Sequence, residues 1–193
     1  MSPITRTWLA FAAIGAGLIH LALVISSPLP LSVLLGVLGA AELVWGVMAF
    51  LRDRVAAPRV VLWAALVPVV GWGLTVVAAI VLEDTALAAA LPVLPLAVAS
   101  IFELFIASVV SFDRRRTPQD LAVERPTPGA VRYLGAVTIG ALAVSLLTTP
   151  ALAATEAGRY AQPHGEHSAD VTPAETAPAP APATIRLPDH SGH

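Results

Sequence analysis

The sequence has no cysteine and no lysine. Without thiols there is neither a disulfide framework nor a thiolate metal site, so any metal ion would need imidazole, carboxylate or thioether ligands. Charge is scarce as well: 12% of the 193 residues are Asp, Glu, Lys or Arg, against about 25% in a soluble domain. The chain also lacks a Gly-rich phosphate loop, a G-x-S-x-G elbow, an H-E-x-x-H pair and any nucleic-acid motif. With no nucleophile or redox group evident, an enzyme is not expected, and neither is a nucleic-acid partner. All 11 basic residues other than histidine are arginine. Together with abundant Ala, Val, Pro and Gly, that bias fits a GC-rich bacterial genome.

What is present is apolar. Hydrophobic residues make up 56% of the chain and its mean hydropathy is +0.78. Five apolar runs are drawn, at 8–25, 31–51, 60–82, 91–112 and 133–152. Each has about the 17–25 residues that a hydrocarbon core of ~30 Å requires. No water satisfies free backbone groups there, so such runs must be helices. The expected fold is therefore all-α, an integral membrane bundle over 1–154, in a bacterial plasma membrane. The first run could pass for a signal peptide, but Ser26, Ser27 and Pro28 lead straight into a second span without a small-residue cleavage site, so it reads as a retained helix. Pro68, Pro92 and Pro95 are tolerable in membrane helices as kinks or helix starts.

The arginines set the threading. Three lie in the 52–59 loop, five in the 113–132 loop and one at Arg6, while the alternate loops 26–30 and 83–90 have none. The positive-inside rule then places the amino terminus in the cytoplasm and the carboxyl terminus outside. Arg114, Arg115 and Arg116 serve as a topology signal, with anionic lipid headgroups as their contact. Glu42 and Glu103 each stand ten residues before the first charge of the loop that follows. That shared offset suggests a duplicated hairpin repeated in parallel.

Three ionisable groups lie deep in the first four runs: His20, Glu42 and Glu103. At ~1.5 Å per residue, His20 is about 21 Å and each glutamate about 15 Å from the cytoplasmic border, so all three lie near mid-membrane. At ~100° per residue, His20 shares a face with Ala13, Ala16 and Gly17, Glu42 with Gly39 and Gly46, and Glu103 with Ser100, Ala107 and Ser111. Small residues line faces where membrane helices approach closely, so each group is expected to point into the bundle. Ionisable groups in mid-membrane mark ion paths, proton relays or ligand sites. Two neighbouring carboxylates cannot both ionise cheaply, so the trio could exchange protons or hold a divalent cation through N and O ligands. The alternative is that protonated glutamates, hydrogen-bonded to a serine or a carbonyl, merely fix helix register.

The segment 155–193 is expected to be a disordered outer tail, because the Pro/Ala stretch 172–184 cannot bury a core. It carries His164 and His167 beside Glu166, and His190 and His193 beside Asp189. Outside the cytoplasm and without thiols, such pairs favour Cu(II), Zn or Ni over softer ions. At the end of the fifth run, Ala151 and Ala153 follow the A-x-A layout of a signal-peptidase site. The alternative there is an ordinary helix end. Trp45, Trp63 and Trp72 read as packing or interface anchors.

Gly17-Leu18-Ile19-His20-Leu21, followed by Pro28 and a second span, resembles the opening hairpin of uncharacterised bacterial polytopic membrane proteins with a histidine late in the first helix. The likeness covers about fifty residues and implies a plasma-membrane protein without an assigned activity. The residues themselves point to a small membrane protein that handles protons or a transition-metal cation. The competing expectation is a non-catalytic accessory subunit that binds other membrane subunits through its small-residue faces.

Overall fold

The computed structural model describes residues 1–52, 57–84, 92–116 and 129–160. The tail histidines His164, His167, His190 and His193 lie outside these, as does the expected disorder over 161–193, whereas residues 155–160 of that expected tail are ordered, as a bend and a short helix. Five helices are each long and apolar enough to cross a membrane: α1 (Pro3–Leu23), α2 (Leu29–Leu51), α3 (Pro58–Val81), α4 (Val93–Arg114) and α5 (Ala130–Ala153). A short α6 (Glu156–Arg159) follows.

Capping residues set where the helices start. α1 begins five residues before its apolar run, because Ser2 caps it by accepting from the Thr5 N–H and Pro3 occupies the first turn. Pro28 and Pro92 stand at the caps of α2 and α4, and Pro58 opens α3. Proline suits these positions because its missing N–H would have had no partner there. Apolarity alone therefore understates the length of four of the five helices, and for α4 it places the start two residues early. The Thr155 hydroxyl accepts from Gly158 N–H and donates to the Leu152 carbonyl, which turns the chain into α6 beyond the 154 boundary.

α1 is the centre of the bundle. It packs on α2, α4, α5 and α6, while α3 packs on α4. Buried residues make up 61% of the spanning window of α1 and 56% of that of α4, but only 11% of that of α3. This order follows from the residues. A helix facing lipid must be apolar all round, as α3 is, whereas a helix enclosed by others can carry small and polar residues. α1 supplies Ala10, Ala13, Ala16 and Gly17 to the interior. Each hairpin has one enclosed helix, the earlier one in α1–α2 and the later one in α3–α4.

Polar clamps hold α5 against α1. The Trp8 indole N–H donates to the Ala136 carbonyl at 2.9 Å, and the Thr7 hydroxyl meets that of Tyr133 at 3.2 Å. A Cβ on Gly140 would stand 2.9 Å from Trp8 Nε1. Gly140→Leu is therefore expected to displace the indole and cost about 1–3 kcal/mol, seen as a lower unfolding midpoint in a denaturant series.

At one end of the bundle the Met1 ammonium lies 3.7 Å from Asp113 Oδ1, and Arg116 Nη1 lies 2.9 Å from the same oxygen. The Arg116 guanidinium also sits 5.3 Å from the centre of the Phe112 ring. Arg114 ends α4 in its last turn, where a cation complements the helix dipole. The amino terminus and the carboxyl end of α4 thus share one end of the bundle, and Ser27 and Pro92 mark the other.

Candidate functional site

The site begins with a close crossing of α1 and α2. A Cβ on Gly17 would lie 2.7 Å from the Gly39 carbonyl oxygen, and one on Gly39 would lie 2.8 Å from the Gly17 carbonyl oxygen. Only glycine permits this approach, which is how small residues bring membrane helices together. Gly46 repeats the close approach about two turns along, with Ile14 Cγ1 at 2.9 Å from its would-be Cβ. His20 lies three residues beyond Gly17 and Glu42 three beyond Gly39, so the crossing carries each onto the other's helix. The Cβ of His20 would be 3.1 Å from a Cβ on Gly39.

His20 and Glu42 meet directly. His20 Nδ1 and Glu42 Oε2 are 2.7 Å apart, and a carboxylate there accepts the Nδ1 proton. The opposite ring nitrogen, Nε2, faces Glu103 Oε1 of α4 at 3.8 Å, too far for a hydrogen bond. His20 is 2% exposed, Glu103 1% and Glu42 12%. One donor atom from each of the three residues lies within 4.8 Å of the others. Three separate helices therefore deliver one imidazole and two carboxylates to one enclosed point. Among the described residues Glu103 Oε1 has no hydrogen-bond partner. Once Glu42 holds the Nδ1 proton, Nε2 and Oε1 are two lone-pair atoms facing across a short gap, an arrangement that calls for a cation or a proton between them.

Two cavities reach this centre. One, of about 630 Å³, is bounded by α1, α2, α3 and α4 and has His20, Ser100 and Glu103 on its wall; Ser27 and Thr75 add two hydroxyls to an otherwise mostly apolar lining. A smaller one, of about 240 Å³, is lined mainly by α2 and α3, with Ala13 of α1 and Ile106 of α4, and has Glu42 on its wall. They exist because α2 and α3 both line them without packing closely on each other.

The other residues singled out in the sequence stand elsewhere. Trp63 and Trp72 line the larger cavity and Trp45 the smaller. Ala151 is fully buried and Ala153 exposed, both in the last turn of α5. Cleavage after Ala153 would require that turn to unwind into an extended strand. Arg114 and Arg116 lie at the bundle end, remote in sequence and in helix position from the trio. Sequence reasoning missed the two cavities, and Ser100 only joined the site as a small neighbour of Glu103. Cavities form between helices, and no single helix pattern contains them.

No protein-family model, curated protein or solved structure matches this chain.

Proposed function

We propose that this chain is a polytopic plasma-membrane protein that handles a divalent transition-metal cation, Zn or Cu, at the His20–Glu42–Glu103 centre. The observation that carries the reading is the unpartnered Glu103 Oε1, which faces His20 Nε2 at 3.8 Å in a buried site. Zinc bonds to imidazole nitrogen and carboxylate oxygen are about 2.0–2.2 Å long, so two ligands on one tetrahedral ion stand roughly 3.4 Å apart. A small side-chain adjustment would close the gap onto an ion. Charge favours the same answer, because two carboxylates and a neutral imidazole carry a formal charge that a divalent cation cancels. In this reading Nε2 and Glu103 are ligands, Glu42 holds the Nδ1 proton and so fixes ring and tautomer, and open coordination positions face the larger cavity.

The arginine distribution supports a cytoplasmic amino terminus and an outer carboxyl terminus. The tail histidines would then collect metal on the far side, and Arg114, Arg115 and Arg116 would lie among anionic headgroups. A proton relay is the second reading, favoured by the 2.7 Å His20–Glu42 contact. It needs a proton to pass between Nε2 and Glu103 in place of a held ion.

The test is zinc binding by full-length protein in nanodiscs, with the four tail histidines changed to alanine so that only the buried centre reports. About one zinc per chain is expected. Glu42→Gln should weaken binding about 10–100-fold, as loss of an orienting partner does, and Glu103→Gln should weaken it further. The affinity should fall as pH is lowered, because protons compete for the same lone pairs. A protein that retains no stoichiometric metal, or a Glu103→Gln variant that binds as tightly as the parent, overturns the metal reading.

A further inference from the structure

We propose that the larger cavity is a binding site for a lipophilic molecule with a hydroxyl head, the hydroxyl seated between Trp72 and Glu103. Two orphaned groups carry this, and they are complementary. Trp72 Nε1 and Glu103 Oε1 both belong to residues of the cavity wall, and neither has a hydrogen-bond partner among the described residues. The indole N–H can only donate and an ionised carboxylate can only accept. A buried polar group left without a partner is costly, and hydrocarbon at this depth offers none.

The two groups also stand at one level. Trp72 is nine residues from the end of α3 at Val81, and Glu103 is ten from the start of α4 at Val93. Those helix ends belong to the same face of the bundle, so at ~1.5 Å per residue the two side chains start about 13–15 Å below it. A single hydroxyl oxygen can accept from one group and donate to the other, which neither an alkane nor an ether can do.

The rest of the cavity fits a hydrocarbon body. Apart from the hydroxyls of Ser27, Thr75 and Ser100 and the His20–Glu103 end, its walls are Leu, Val, Ala and Pro side chains with the Trp63 and Trp72 rings. Its volume of about 630 Å³ falls within the range of about 300–1,000 Å³ usual for small-molecule sites. The cavity is bordered by α2 and α3, the two helices that do not pack closely, so a molecule dissolved in the bilayer has a lateral way in. The inference shares the Glu103 oxygen with the metal reading, and a carboxylate has lone pairs enough to serve both a cation and a hydroxyl; its other anchor, the Trp72 N–H, plays no part in the metal reading.

The experiment uses the full chain in nanodiscs and an alkylphenol brominated at the far end of its chain, a heavy-atom quencher of indole fluorescence. Trp63 and Trp72 on the wall are the reporters. Saturable quenching is expected with the phenol, and about tenfold weaker binding with its methyl ether, which keeps the body and loses the donor. Trp72→Phe, read through Trp63, should weaken the phenol about tenfold and leave the ether unchanged. Gly71→Leu should abolish binding of both: Gly71 lines the cavity, and a Cβ there meets nothing within 4 Å, so the leucine occupies space without displacing a neighbour. Equal binding of phenol and ether by the parent protein, or non-saturable quenching unaffected by Gly71→Leu, overturns the proposal. Ordinary partition into lipid or a water-filled pocket would give that result. Zinc binding is read separately and does not enter either outcome.

Discussion

Gly39→Leu is expected to part α1 from α2 and dismantle the His20–Glu42 pair. What a side chain would strike there is backbone: the Gly17 carbonyl oxygen lies 2.8 Å from the added Cβ. A carbonyl within a helix cannot swing aside as the end of a flexible side chain can, so the helices themselves must separate. Overpacking costs about 1–3 kcal/mol where neighbours can adjust, and here they cannot. Apolar helices surrounded by lipid gain little from hydrophobic burial against each other and are held by close packing. The lost approach is therefore not recovered elsewhere. Because the chain has no cysteine, a pair introduced as Val24→Cys and Gly36→Cys reports the α1–α2 crossing without background. A Cβ on Gly36 lies 3.7 Å from Val24 Cγ2, so the pair should oxidise readily in the parent and fail to do so with Gly39→Leu, with zinc affinity lost in parallel. An unchanged crosslink yield would show that the glycine crossing is not what holds the site together.

His20→Leu is the second large effect. Removing the imidazole leaves the Glu42 and Glu103 carboxyl groups in a buried pocket with nothing basic between them. Breaking a buried polar pair by deleting one partner costs about 3–5 kcal/mol. Replacing all three residues by apolar ones of similar volume is expected to be neutral or stabilising by about 1–4 kcal/mol, since no charge then needs desolvating. Unfolding midpoints of the parent, the single variant and the triple variant separate the two accounts of this centre. If the triple variant recovers, the trio is a stability burden retained for what it binds. If it unfolds as easily as the single variant, the polar contacts are there to fix helix register, and ion handling loses its support.

Much of this arrangement can be read along the chain. Runs of about twenty apolar residues require helices in hydrocarbon, and the five helices follow. The small residues on the faces of His20, Glu42 and Glu103 mark the sides turned inward: Ala13, Ala16, Gly39, Gly46 and Ala107 are all buried. Helix ends were less legible, because Ser2, Pro58 and Thr155 set them by capping and not by hydropathy.

By itself, the sequence determined that the chain is helical, that five helices are apolar enough to cross a membrane, and which faces of α1, α2 and α4 carry His20, Glu42 and Glu103. These are local properties, fixed by composition and by the helical repeat. Only the tertiary structure decided that α1 is central and α3 peripheral, that His20 bonds Glu42 while facing Glu103 across a gap, and that a cavity runs from that gap past Trp72. Those facts depend on how closely two backbones approach and on which helices fail to touch, and distances between helices are not written in any one of them.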